Sequence, residues 1–202
     1  MSYLSQRRKM LMSMGSKGSD DPWAGLPNGI RIKTQNSLVQ SGFGSNNILG
    51  DIGNTNFTEA IYVDGKLLDT PVANYVFDDD NIHNVLVIPK NFDTVFAGYN
   101  STGIGYYSNS PMSYIDIPVN IVDIRLQAIR GFDTGVDCVL IIRSTSVVTF
   151  GNANFLGTPS KCTIYVPANL VNDYKALFTA GDNNFPAGYA DRIFALENSP
   201  YK

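Results

Sequence analysis

Apolar side chains alternate with other residues over short runs along much of this chain, and several of the runs recur. NVLVIP (84–89), SYIDIP (113–118), CVLIIR (138–143) and CTIYVP (162–167) align at near-regular intervals. Each places apolar side chains at its third and fifth positions: Leu86 and Ile88, Ile115 and Ile117, Leu140 and Ile142, Ile164 and Val166. A period of two predicts a strand with one buried face. Recurrence every roughly 20–30 residues predicts stacked coils of a solenoid, each covering the apolar face of the next. Three of the four runs end in proline, which has no N–H for a ladder and stops the strand.

The returns between these strands are less regular. IVDIRLQAIRGF and SVVTFGNANFLG share a V-x-(I/F) core, and loosely constrained lengths suit the outer side of a solenoid. The last coil of such a stack exposes an apolar face and an open strand edge that must be covered. After CTIYV, Pro167 suits a helix start, and Leu170, Val171, Tyr174, Leu177 and Phe178 fall at helical spacing. This stretch is expected to be a cap helix. YADRIFALENS is expected to add a second cover through Ile193, Phe194 and Leu196.

Upstream of the repeats, residues 23–80 read as mostly strand. GIRIKTQ alternates around Ile30 and Ile32, and EAIYVDGKLLD predicts a hairpin turning at Asp64-Gly65. The glycines of GFGSNNILGDIGNTN do not make a dinucleotide fingerprint, because Asn47 stands where the third glycine belongs. They read as turns.

Residues 1–22 differ again. Tyr3, Leu4, Leu11 and Met14 can share one face of a short helix beside Arg7 and Arg8, and SMGSKGSDDP then reads as a linker. The segment is either a frayed terminus or an arm that docks on a partner, Met and Arg supplying adaptable apolar contact and charge. Its basic start resembles an export signal, but the apolar run Met10-Leu11-Met12 breaks at Ser13, short of the roughly 7–15 residues required. No export by that route is expected.

Composition narrows the function classes. The chain has 202 residues, 44% hydrophobic and 16% charged, with a net charge of −3. It is long enough for one well-buried domain, and its charge argues against a general nucleic-acid binder. No run of about 18 apolar residues exists to cross a membrane as a helix.

The catalytic inventory is thin. His83 is the only histidine and is expected in a turn before a strand, at the surface or an edge. Any triad must recruit it, and a catalytic role is not expected. Glu59 and Glu197 are the only glutamates, although aspartates keep a glycosidase-type carboxylate pair formally open. Asp78-Asp79-Asp80 with Asn81 lacks the spacing of a calcium loop and reads as a solvated turn. No metal or cofactor is expected. Cys138 and Cys162 open successive repeats and should stack one coil apart, either as small buried hydrophobes or as a disulfide, the former suiting a reducing cytoplasm. Between the first two repeats, AGYNSTGIGYYSNSPM (97–112) mixes Tyr99, Asn100, Tyr106 and Tyr107 with glycine and serine. Contact loops use that mixture, and a host glycan or a neighbouring subunit are the candidate partners beside a plain solvated loop.

Strands that end in Ile-Pro and recur at this spacing resemble the irregular leucine-rich repeats of bacterial cell-surface proteins. The closing run IYVPANLVNDYKALF followed by YADRIFALE resembles the C-terminal end of structural proteins encoded by phages of gut bacteria. The matching positions are Tyr165, Val166, Pro167, Leu170, Val171, Tyr174, Lys175, Tyr189, Ala190, Asp191 and Ile193. RRKMLM looks like the short Arg-then-Met/Leu opening of such proteins. GDNNFPAG departs from the short tryptophan-containing turn usual there.

The resemblance implies a virion component and no reaction. The expectation is a mainly β protein: a docking arm and linker (1–22), a β-rich segment (23–80), and a leucine-rich-repeat-like solenoid with a C-terminal helical cap (81–202). It would be a non-enzymatic fibre or decoration subunit, made in a host cytoplasm and carried in the virion. Arg7, Arg8, Met10, Leu11 and Met14 would dock on other virion proteins; Tyr99, Asn100, Tyr106 and Tyr107 would make surface contacts. A homo-oligomer is expected, with no nucleic acid bound and no membrane insertion. The alternatives are a bacterial glycan-binding adhesin module and a polysaccharide depolymerase.

Overall fold

The computed structural model describes residues 21–34, 58–69, 77–79, 81–90, 95–96, 112–124, 138–151, 162–179 and 188–201. Within them the protein is mainly β. The elements are β1 (Ile30–Thr34), β2 (Thr58–Val63), β3 (Lys66–Leu67), β4 (His83–Pro89), β5 (Val95–Phe96), β6 (Met112–Ile117), β7 (Asp123–Ile124), β8 (Val139–Ile142), β9 (Thr149–Phe150), β10 (Thr163–Val166), a helix α1 (Val171–Thr179) and β11 (Ile193–Ala195).

Eight strands form one mixed sheet in the order β11-β10-β8-β6-β1-β4-β2-β3. From β6 to β11 the neighbours are parallel; from β6 to β3 they are antiparallel. A smaller parallel sheet, β5-β7-β9, takes the short strands that follow β4, β6 and β8. The repeats at 113, 138 and 162 stack in the predicted register. Ile115 lies beside Leu140, Ile117 beside Ile142, and Leu140 beside Ile164. These residues and Val166 share one core with Ile121, Ile124 and Val148, which lead into or lie in the second sheet. The shared V-x-(I/F) core is also in register, Asp123 opposite Thr149 and Ile124 opposite Phe150.

The first repeat does not follow the others. NVLVIP does not lie beside SYIDIP, because β1 sits between β4 and β6, antiparallel to both. Its parity is reversed too: Val85 and Val87 face the main core, while Leu86 and Ile88 face the opposite side of the sheet. The reason is that β4 is buried on both faces, so an unbroken apolar run does not say which side chains point where. Ile30 and Ile32 of β1 fill the main core as their alternation predicts. Gly29 is required just before them, since a Cβ there would collide with the Val87 carbonyl and press on Ile88.

EAIYVDGKLLD forms the predicted hairpin. Asp64 (φ 48°) and Gly65 (φ 76°) are both left-handed, as a two-residue turn of primed type demands.

At the other end, Pro167 and a 3-10 turn (Ala168–Leu170) lead directly into α1, whose Tyr174 and Phe178 are buried. The helix follows β10 where β9 follows β8, and it packs on that strand: Phe150 meets Tyr174 and Phe178 edge-on at 6.4 and 6.1 Å. The Tyr174 hydroxyl accepts the Val148 N–H at 3.0 Å. Glu197 accepts the Ala168 N–H, which tethers the helix entrance to the C-terminal segment. That segment differs from expectation. It adds β11 as a further parallel strand beside β10, so Ile193 turns inward and Phe194 turns out, 47% exposed. Strand alternation places Phe194 away from the core it was expected to cover.

Candidate functional site

The face of the large sheet opposite the main core carries a connected set of polar and aromatic contacts. Strand alternation builds it. Where Ile30 and Ile32 point in, Arg31 and Lys33 point out; where Ile115 and Ile117 point in, Tyr114 and Asp116 point out. Trp23 is brought over these residues by a turn that Asp21 organises: its side chain accepts the Trp23 N–H at 2.9 Å and its carbonyl accepts the Ala24 N–H at 3.0 Å. Trp23 stacks on Tyr114 with centroids 5.4 Å apart, and the Arg31 and Lys33 cations lie 5.7 and 5.6 Å from its ring.

Asp116 is the centre of the charge. It is 3% exposed and receives a fork from Arg143, Nε at 2.7 Å and Nη2 at 2.9 Å. Arg31 stands 4.0 Å away, and the Tyr114 hydroxyl donates at 3.3 Å. The hydrogen bonds to Asp116 hold the Arg143 guanidinium even more firmly protonated, and burial together with the Asp116 charge pushes the Tyr114 phenol up. Arg143 also donates to the Tyr201 carbonyl at 3.2 Å, pinning the C-terminal segment to this face. A planar fork on a carboxylate is the geometry arginine supplies best.

An aromatic row crosses the same face. Trp23 touches Tyr114, Tyr114 touches Tyr201 at 5.3 Å, Tyr201 touches Tyr165 at 6.2 Å, and Tyr165 touches Phe194 at 6.2 Å. The row runs from a buried, cation-flanked end to an exposed one. Such a face can stack on flat apolar surfaces and hydrogen-bond beside them. Among the described residues its buried carboxylate, Asp116, is engaged by Arg143, and the more exposed Asp21 lies 3.9 Å from Arg31.

His83 is the first residue of β4, an inner strand of the sheet, and its side chain is only 13% exposed, where its context predicted a surface or edge position in a turn before the strand. Its ring is flanked on both nitrogens: Nδ1 lies 2.7 Å from Asp64 Oδ2 and Nε2 lies 3.1 Å from Asp79 Oδ1. Phe77 stacks flat on it at 4.2 Å. Asp79 also accepts the Asn81 N–H at 2.7 Å, so the acidic turn is organised by hydrogen bonds to its own backbone and to the histidine. Burial disfavours the imidazolium, but the bond and charge of Asp64, then those of Asp79, outweigh it and raise the His83 pKa. Among the described residues no group of three or more His, Cys, Asp or Glu is placed to hold a metal ion.

Cys138 and Cys162 lie side by side just before the adjacent parallel strands β8 and β10. Both thiols are free and buried, and burial pushes the Cys162 thiol well up. Arg7, Arg8, Met10, Leu11 and Met14, and likewise Tyr99, Asn100, Tyr106 and Tyr107, lie outside the described residues. Sequence reading missed Trp23, Arg31, Asp116, Arg143 and Tyr201. The signal for Asp116 was present: an aspartate between two core isoleucines must face the other side of the strand.

No protein family, curated protein or solved structure matches the chain.

Proposed function

We propose that this chain is a non-enzymatic structural protein of a phage particle, a fibre or decoration subunit. Residues 1–22 dock it, through Arg7, Arg8, Met10, Leu11 and Met14, on other virion proteins. Residues 81–202 form a short leucine-rich-repeat-like solenoid that α1 and the segment after it close as a cap. The observation that supports this reading most is the coil-to-coil register of the repeats at 113, 138 and 162 in two parallel ladders. A body that grows by stacking like units presents long side faces, which suits assembly and display better than it suits a catalytic cleft. Homo-oligomeric packing and host-surface contact through Tyr99, Asn100, Tyr106 and Tyr107 complete the proposal.

A bacterial glycan-binding adhesin is the second reading, favoured by the aromatic row that ends at exposed Phe194. Fractionation separates the two. An antibody raised against the purified chain is used to probe gradient-purified particles and cell envelopes from the source culture. The proposal expects the chain to band with the particles and to label them at regular positions in the electron microscope. Recovery solely with the envelopes would replace it with the adhesin.

A further inference from the structure

The side chains around His83 join three separate pieces of the fold. Asp64 lies in the β2–β3 turn, His83 starts β4, and Phe77 and Asp79 lie in the segment leading to it. The hydrogen-bond count around the ring decides its protonation state. Each nitrogen faces a carboxylate oxygen, and carboxylates only accept; both nitrogens donate only in the imidazolium. A neutral ring satisfies one aspartate and turns a lone pair toward the other.

The two aspartates are not equally held. Asp64 makes the shorter bond to the ring and is fixed by the Asn84 N–H at 2.9 Å and the Asn84 side chain at 3.4 Å. The Asp79 bond is longer, and its carboxylate is the more exposed of the two. Loss of one ring proton therefore leaves Nδ1–H on Asp64 and sets Nε2 against Asp79.

We propose that Asp64, His83 and Asp79 form a proton-operated latch: the imidazolium ties the Phe77–Asp79 segment to the β2–β3 turn, and the neutral ring keeps Asp64 but gives up Asp79. The charged groups facing the ring among the described residues are these two aspartates. The closed window follows from the signs. His83 is raised above its ordinary value of 6.5, so its contribution is complete below about 6.5 and is lost as pH rises through the higher folded value. Asp64 and Asp79 are lowered from 3.8, Asp79 chiefly by the Asn81 N–H. Their contribution is present above about 3.8 and is lost as pH falls through the folded values. The latch is closed between those limits and opens on the alkaline side by losing the ring proton. None of this depends on the particle reading.

His83 is the only histidine, so its ring resonances in an NMR titration need no assignment. The expected midpoint lies above 6.5 in the full chain and falls in Asp79→Asn. Hydrogen exchange of the Asn81 amide, which bonds to Asp79, should accelerate across that midpoint by several-fold more than hydroxide catalysis alone gives. Asp79→Asn should remove that extra step. A midpoint at or below 6.5, a midpoint unmoved by Asp79→Asn, or Asn81 exchange that follows hydroxide alone would each overturn the latch.

Discussion

Replacing Arg143 by methionine is expected to destabilise the protein by about 3 kcal/mol in equilibrium denaturation, near the lower end for breaking a buried ion pair. Methionine keeps much of the side-chain volume and removes the guanidinium. Asp116, 3% exposed, then loses both arms of its fork and keeps only Arg31 at 4.0 Å and the Tyr114 hydroxyl. Water reaches Arg143 itself, whose side chain is 30% exposed, which is why the upper end of the range is not expected. The bond to Tyr201 disappears as well, so the C-terminal segment should become easier to cleave by protease. Pairing Arg143→Met with Asp116→Leu should recover most of the loss, because a matched apolar pair leaves no charge uncompensated. A single-variant loss under about 1 kcal/mol would mean that solvent already satisfies Asp116.

The second large effect concerns α1. Tyr174 is fully buried and sits edge-on to Phe150 while its hydroxyl accepts the Val148 N–H. Tyr174→Ala should cost about 3–5 kcal/mol, the usual loss for emptying an aromatic site. Tyr174→Phe keeps the ring and strands one buried N–H, so about 1–3 kcal/mol is expected. Denaturation curves for the two variants separate the packing of the helix on β9 from its hydrogen bond. Equal losses in the two would show that the ring contributes little to holding the helix there.

The parts of the fold legible in the sequence are those set by local alternation. In SYIDIP, CVLIIR and CTIYVP the inward third and fifth residues are aliphatic and the outward ones include tyrosine, aspartate, arginine and threonine, so the face and the register could both be read. The hairpin was legible because Asp64-Gly65 fits one turn type. β4 misled because its two faces are equally apolar. The place of β1 between β4 and β6 was not legible, since GIRIKTQ gives alternation but says nothing of partners so distant along the chain. The polar face shows the same limit. Asp116 could be seen to point outward, yet its partner Arg143 lies far downstream, at the end of the next repeat. Trp23 stands among glycines and prolines that carry no period, and only the folded sheet beneath shows what it covers.

A homo-oligomer is proposed and residues 1–22 take the docking role, so the most direct test of the functional reading is whether that arm also takes part in assembly. Light scattering coupled to size exclusion tests it, on the full chain and on the chain lacking that arm. The account predicts a defined oligomer for the full chain and a smaller species for the truncated one. A monomer in both cases would contradict assembly through the arm.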